Sequence, residues 1–308
     1  MEMDEMRGDL AALVLERAVA AERKKPSGTC TRRNKTYVRS ECRNDSERTY
    51  LRREEFLMKI AIITGASSGL GREFAKQINQ HFVTHDEVWL IARREERLNE
   101  LKESLHGVHV RTIPIDLCDR DAVGTYEEML QKFHPQIRVL VNAAGYGKMG
   151  YVEQISEEDL AGEIRLNCES LTRMTKISLP YMAKRSNIIN IASSAAFMPQ
   201  PNFAVYAASK SYVLSFSRAL HQELKKHGIV VTAVCPGPVN TEFFDIAESY
   251  TKTKGYKVIL RANAGKVVTL AIKDAMKGKT VSTYGVVMKA FRVVTKIIPH
   301  GLIVPFIH

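Results

Sequence analysis

Met58-Lys59-Ile60-Ala61-Ile62-Ile63-Thr64-Gly65-Ala66-Ser67-Ser68-Gly69-Leu70-Gly71 is the stretch that decides the fold. Ile60–Thr64 is a short apolar run, the pattern of a strand covered on both faces. It enters a turn with glycines at 65, 69 and 71. Glycine there lets the backbone approach a pyrophosphate and lets the next helix, expected over Gly71–Gln80, pack tightly on the sheet. The start of that helix offers unpaired N–H groups and a positive dipole end to an anion. A plain strand-to-helix turn needs fewer glycines.

Downstream, strand and helix patterns alternate. Strands are expected at Glu87–Ala92, Val108–Ile115, Val139–Asn142, Ile188–Ala192 and Val230–Val234, with a last one within Thr280–Val287. Helices are expected at Glu95–Leu105, Ala122–Phe133, Glu157–Tyr181 and Tyr206–His227. Apolar strands separated by helices predict an α/β fold, with a parallel sheet covered on both faces. Right-handed crossovers make it a doubly wound, Rossmann-type sheet in a single domain, residues 58–308.

Residues 1–57 read differently. They hold thirteen Lys/Arg and eleven Asp/Glu, and beyond Ala21 almost no apolar periodicity. Asp9–Arg23 could form a short amphipathic helix, whereas Lys24–Arg53 reads as disordered. Arg52-Arg53-Glu54-Glu55 can be written in purine-rich codons, like a bacterial ribosome-binding site just before Met58. Met58 is therefore expected to be the initiator, leaving residues 1–57 as an untranslated leader; a genuine disordered extension is the competing reading.

With 45% hydrophobic and 26% charged residues, the composition is that of a globular protein. No apolar run approaches the ~20 residues of a membrane-spanning helix, and the acidic Met1–Glu5 lacks the order of a secretory signal. The five cysteines (30, 42, 118, 168, 235) form no C-x-x-C pair and have no His partner at ligand spacing. Free thiols in a reducing cytoplasm are expected, and no metal site.

Tyr206-Ala207-Ala208-Ser209-Lys210 places a phenol and an ammonium one helical turn apart. A nearby positive charge favours the phenolate, which suits the pair to acid–base work near neutrality. Ser193 lies thirteen residues upstream of Tyr206, with Asn167 further upstream in Arg165-Leu166-Asn167-Cys168. Together with the glycine turn, Asn142-Ala143-Ala144-Gly145 and Pro236-Gly237-Pro238-Val239-Asn240-Thr241, these motifs resemble the short-chain dehydrogenase/reductase family, in its shorter single-domain branch. The likeness runs motif by motif from Lys59 to about Thr241. The spacing G-x-x-x-G-x-G is the form that family uses.

The resemblance implies a catalytic set of Asn167, Ser193, Tyr206 and Lys210. Tyr206 would exchange a proton with the substrate oxygen and Ser193 would stabilise charge developing there. Lys210 would lower the Tyr206 pKa and hold the nicotinamide ribose, while Asn167 would position a water joining Lys210 to solvent. Ser194, at a spacing of twelve, is the alternative donor. The cofactor would lie on Gly65, Ser67, Ser68, Gly69, Leu70 and Gly71, with Asp116 and Leu117 flanking the adenine. Asn142, Ala143 and Gly145 would line the cleft, Thr241 of the Pro-Gly loop would contact the cofactor's carboxamide or phosphates, and Pro236, Gly237 and Val239 would bind the cofactor with it. Where an NAD site carries an acid about twenty residues beyond the glycines, this chain has Ala92, then Arg93 and Arg94. A guanidinium binds a 2′-phosphate that a carboxylate would repel. NADP(H) is therefore expected, with Arg93 and Ser67 as the phosphate clamp and Arg94 left solvated.

Phe197, Met198, Phe203, Phe243, Phe244 and Tyr250 fall where the family builds its substrate pocket. They suit a hydrophobic ketone or alcohol of steroid or 3-oxoacyl type. The implied activity is an NADP(H)-dependent oxidoreductase acting on CH–OH groups, expected as a homo-oligomer. A non-catalytic NADP(H)-binding redox sensor or scaffold is the alternative. From Gly255 to His308 nine Lys/Arg face one acid, Asp274. That segment reads as a solvated basic face, a dock for an acidic carrier or coenzyme, or a peripheral membrane contact. It carries no nucleic-acid-binding motif.

Overall fold

Strands that are apolar on both sides need helices on both sheet faces, and the chain supplies them in alternation. The computed structural model describes residues 57–82, 85–251 and 261–306. Its strands are β1 (Lys59–Thr64), β2 (Glu87–Ala92), β3 (His109–Pro114), β4 (Gln136–Asn142), β5 (Met182–Ile191), β6 (Val230–Val234) and β7 (Val281–Ser282). They form one parallel sheet in the order β3-β2-β1-β4-β5-β6-β7. The direction of winding reverses between β1 and β4, which opens a crevice at the carboxyl ends of the strands.

The helices are α1 (Gly69–His81), α2 (Glu95–Ser104), α3 (Arg120–Phe133), α4 (Glu157–Ile164), α5 (Leu171–Ser178), α6 (Ala204–Leu224), α7 (Phe243–Ala247), α8 (Ala264–Met276), α9 (Val286–Ile297) and α10 (His300–Ile303). On one sheet face Phe74, Ile78, Leu98, Leu101, Val268 and Ile272, from α1, α2 and α8, bury against Ile63 and Leu90. On the other, Tyr126, Leu130, Met174 and Leu220, from α3, α5 and α6, bury against Ile62 and Trp89. Truncating such a fully buried aromatic or leucine to alanine costs about 2–5 kcal/mol, so both layers are needed to hold the sheet.

Two elements differ from expectation. The single helix expected over Glu157–Tyr181 is broken by a π-helical turn, Arg165–Ser170, between α4 and α5. β5 begins at Met182 rather than Ile188, because its exposed start, with Lys184 and Arg185, pairs at the edge of the β4 ladder before a register shift. Beyond Val234 the structure adds α7 to α10 to the expected last strand. The separate extension expected over residues 1–57 falls, Leu57 apart, outside the described residues, as do Cys30 and Cys42. Among the described residues no helix is long and apolar enough to cross a membrane, and no three His, Cys, Asp or Glu side chains gather as metal ligands.

Candidate active site

The glycine turn is shaped by two contacts that allow no side chain. Gly65 has φ +65°, and a Cβ there would stand 2.7 Å from the Ala144 amide nitrogen. A Cβ on Gly71 would stand 2.3 Å from the Gly65 carbonyl oxygen. Helix α1 thus starts directly beneath the turn. Ser68 precedes it without capping it through its side chain, and no acid stands in its first turn, so the first N–H groups are left to an anion. Thr241 of the Pro-Gly loop reaches over Gly69, its side chain 3.6 Å from where a Cβ would stand.

Cationic side chains gather at the carboxyl end of β2. The Arg94 guanidinium donates to Ser67 Oγ at 3.3 Å and lies 3.5 Å from the Glu242 carboxylate. Arg97 holds the same carboxylate at 2.6 and 2.9 Å, and its hydrogen bond draws the Glu242 pKa below the usual carboxylate range. Arg93 is more exposed and faces Asp116 at 3.7 Å. Arg94, expected to be merely solvated, is therefore tied to the glycine turn.

Tyr206 and Lys210 stand in the first turns of α6, both buried. Ser193 shares the cavity wall with Tyr206, its side chain close enough to pull the Tyr206 pKa down, and Ser193 Oγ accepts from the Ala195 amide at 3.1 Å. Lys210 Nζ donates to the Ile191 carbonyl at 2.9 Å and lies 5.6 Å from the Tyr206 ring centre. Phe203 stacks on the Tyr206 ring at 4.2 Å, and Phe243 tilts against it at 5.3 Å. Asn167 occupies the π-helical turn, a form that recurs at functional sites. Its amide donates to the Tyr146 carbonyl (2.8 Å) and to Ser209 Oγ (3.0 Å), and accepts from the Tyr146 amide (3.1 Å). It pins the loop after β4 to α6.

Residues 59–252, more than half of the chain, match the family model described as short chain dehydrogenase. The chain belongs to the short-chain dehydrogenase family. A very-long-chain 3-oxoacyl-CoA reductase of Anas platyrhynchos is 32% identical over 67% of this chain and 68% of its own length. A fatty acyl-CoA reductase of Acinetobacter baylyi is 31% identical over 73% of this chain and 75% of its own. Among solved structures, a short-chain dehydrogenase from Sphingobium yanoikuyae in complex with NADPH superposes with a TM-score of 0.66 at 27% identity, over 79% of this chain and 97% of that one.

In this short-chain dehydrogenase a cavity of about 920 Å³ runs from the glycine turn and the arginines, past Gly145, Ser193, Tyr206 and Lys210, to the Pro-Gly loop. Ser68, Leu70, Asp116, Leu117, Ala143, Pro236, Gly237, Val239 and Thr241 are on its wall. Asn142 is not. Its side chain is buried and donates to Thr175 Oγ1 (3.0 Å) and Asn190 Oδ1 (2.9 Å), so it braces β4 against α5 and β5. Of the aromatic set expected around the substrate, Phe203, Phe243 and Phe244 line the cavity. Met198 is instead in the core, Phe197 packs against Phe291 at 6.2 Å, and Tyr250 turns outward to Asp159. Ile246, Met288 and Phe291 take their places. Met288 and Phe291 belong to α9 and have no motif to mark them.

Burial raises the Tyr206 phenol above its ordinary value, and the Ser193 side chain only partly offsets it. Burial brings the Lys210 ammonium down to about 8. Glu163 was missed by the sequence reading. Fully buried on α4, it accepts from the Lys148 amide through one oxygen and leaves the other without a partner. Burial, reinforced by Asp159, pushes its carboxyl up to about 7 against the pull of the Lys148 amide, Lys210 and the Lys148 side chain. A lone glutamate in a helix rich in acids reads as solvent-facing, and only the fold turns it inward.

Proposed function

We propose that this oxidoreductase works with NADP(H) on the carbonyl or secondary alcohol of a hydrophobic substrate, with a 3-oxoacyl thioester favoured over a steroid. The observation that carries the reading is the convergence of Ser193, Tyr206 and Lys210 on the wall of one cavity, with Lys210 a helical turn from Tyr206. A dinucleotide fits the chain's own features. The side-chain-free approach at Gly65 and Gly71 suits a pyrophosphate, and Ser67 with Arg93 and Arg94 suits a 2′-phosphate. The NADPH complex of the 27%-identical relative supports the same choice.

When bound, the nicotinamide supplies or accepts the hydride. The protein's residues handle the proton and the charge. Tyr206, held protonated by burial, donates its hydroxyl proton to the carbonyl oxygen as that oxygen gains charge. Ser193 offers a hydrogen bond to the same oxygen. Lys210, fixed on the Ile191 carbonyl, keeps a second exchangeable proton within the site. Asn167 acts as a positioning residue: both of its amide protons are engaged by Tyr146 and Ser209, so it holds the Gly145–Tyr146 loop against α6. Phe203, Phe243 and Phe291 exclude water around the reacting carbon.

A panel of 3-oxoacyl thioesters, oxo-steroids and simple ketones, each with NADPH and with NADH, tests the proposal. The expected result is faster cofactor oxidation with a 3-oxoacyl thioester and NADPH than with any other pairing. NADPH binding without turnover of any member would instead favour a non-catalytic binding module.

A further inference from the structure

Helix α9 is amphipathic in an unusual sense, because its polar flank is cationic and its apolar flank faces outward. Met288, Phe291 and Thr295 turn inward. Met288 lies on the Pro-Gly loop, its Sδ 2.8 Å from where a Gly237 Cβ would stand, and Phe291 meets Phe197. On the outward face Val286, Val293 and Ile297 are 82%, 55% and 75% exposed, and Leu302 on α10 continues them at 66%. Their spacing, i, i+7, i+11, keeps them on one stripe of a helix. Lys289, Arg292 and Lys296, at i, i+3 and i+7, run along its flank. No acid occurs from Ala275 to His308.

We infer that α9 docks this enzyme on an anionic lipid surface, with the apolar stripe seated among the acyl chains and the lysines and arginine on the headgroups. A helix with one apolar face and a basic flank lies in the plane of such an interface. Charge complementarity selects an anionic surface over a second copy of the chain, which would set these cations against one another. The inner side of the same helix lines the cavity, and Val287 belongs both to the cavity wall and to the exposed surface. A substrate with a long apolar chain therefore passes from the lipid to the cavity along α9. This last step rests on the proposed use of the cavity for such a substrate; the docking does not.

The test is co-sedimentation of the full chain with vesicles of phosphatidylcholine alone and of phosphatidylcholine mixed with phosphatidylglycerol. Each cation near an anionic surface contributes roughly fivefold in affinity, so binding to the mixed vesicles should exceed binding to neutral ones by at least tenfold, and added salt should reverse it. V293E/I297E should abolish sedimentation, and K289Q/K296Q should reduce it severalfold. Both should leave the oligomeric state by sedimentation velocity and the turnover of a small soluble ketone unchanged. Failure of the wild type to prefer anionic vesicles overturns the proposal. If V293E/I297E also splits an oligomer, the apolar stripe belongs to a second copy instead. Should no ketone be turned over by any form, the assigned activity fails while the vesicle result still stands or falls by itself.

Discussion

Burial holds the Tyr206 phenol protonated at neutral pH, the form that a general acid needs. The same low-dielectric surroundings act oppositely on its neighbours, raising Glu163 to about 7 and lowering Lys210 to about 8. The charges facing Glu163 are Asp159, Lys148 and Lys210. Because its folded pKa exceeds that of the unfolded chain, Glu163 binds a proton in the native state that the unfolded state releases. Stability should therefore be highest below about pH 4.5 as far as this group is concerned, and fall as pH rises to about 7. The full shift corresponds to roughly 3 kcal/mol. Lys210 works in a different window: its lowered folded pKa makes stability rise with pH only above about 8. Urea unfolding of Glu163→Gln should consequently show a flatter pH dependence between about pH 5 and 7 than the wild type. Parallel curves would mean that Glu163 is ionised throughout.

Among the elements, the strand–turn–helix unit of β1 and α1 gives the sharpest test. Gly71→Ala drives a Cβ into the Gly65 backbone oxygen at 2.3 Å, where no flexible side chain can give way. Overpacking of this kind costs about 1–3 kcal/mol, and NADPH affinity should fall by tenfold or more as the turn moves. Gly124→Ala in α3 is the matched control, since nothing lies within 4 Å of its added Cβ. It should stabilise the protein by up to ~1 kcal/mol through helix propensity. Thermal unfolding and NADPH titration of the two variants separate these outcomes; equal effects would contradict the close approach. At the end of β2, Arg93→Ala and Arg94→Ala should each weaken NADPH binding about tenfold and leave NADH binding nearly unchanged, the loss of a charge-assisted hydrogen bond. An equal loss for both cofactors would make the arginines structural. The apolar runs of β1, β2, β4 and β6 were legible because a doubly covered strand has no other way to be written. The π-helical turn was not, since one extra residue barely disturbs a helical period, and it is this turn that seats Asn167. Asn142 sits in a motif whose neighbours line the cavity, yet its own side chain follows strand alternation into the core.

For the whole molecule, the sheet order and the cavity at the reversal between β1 and β4 follow from the alternation of apolar strands and helices. The substrate end was less legible because it is assembled from α6, α7 and α9, which the sheet brings together from distant parts of the chain. Phe291 reaches the cavity only because α9 packs across the Ser194–Phe197 turn. The account stands on Tyr206 as the proton donor in this cavity. The direct measurement is NADPH consumption driven by a 3-oxoacyl thioester, wild type against Tyr206→Phe, with NADPH affinity titrated on both. Phenylalanine keeps the ring that Phe203 and Phe243 enclose and removes only the hydroxyl. The account predicts unchanged NADPH affinity and turnover lowered by at least ~10²-fold, the scale of general acid catalysis. Turnover within a few-fold of wild type would contradict it.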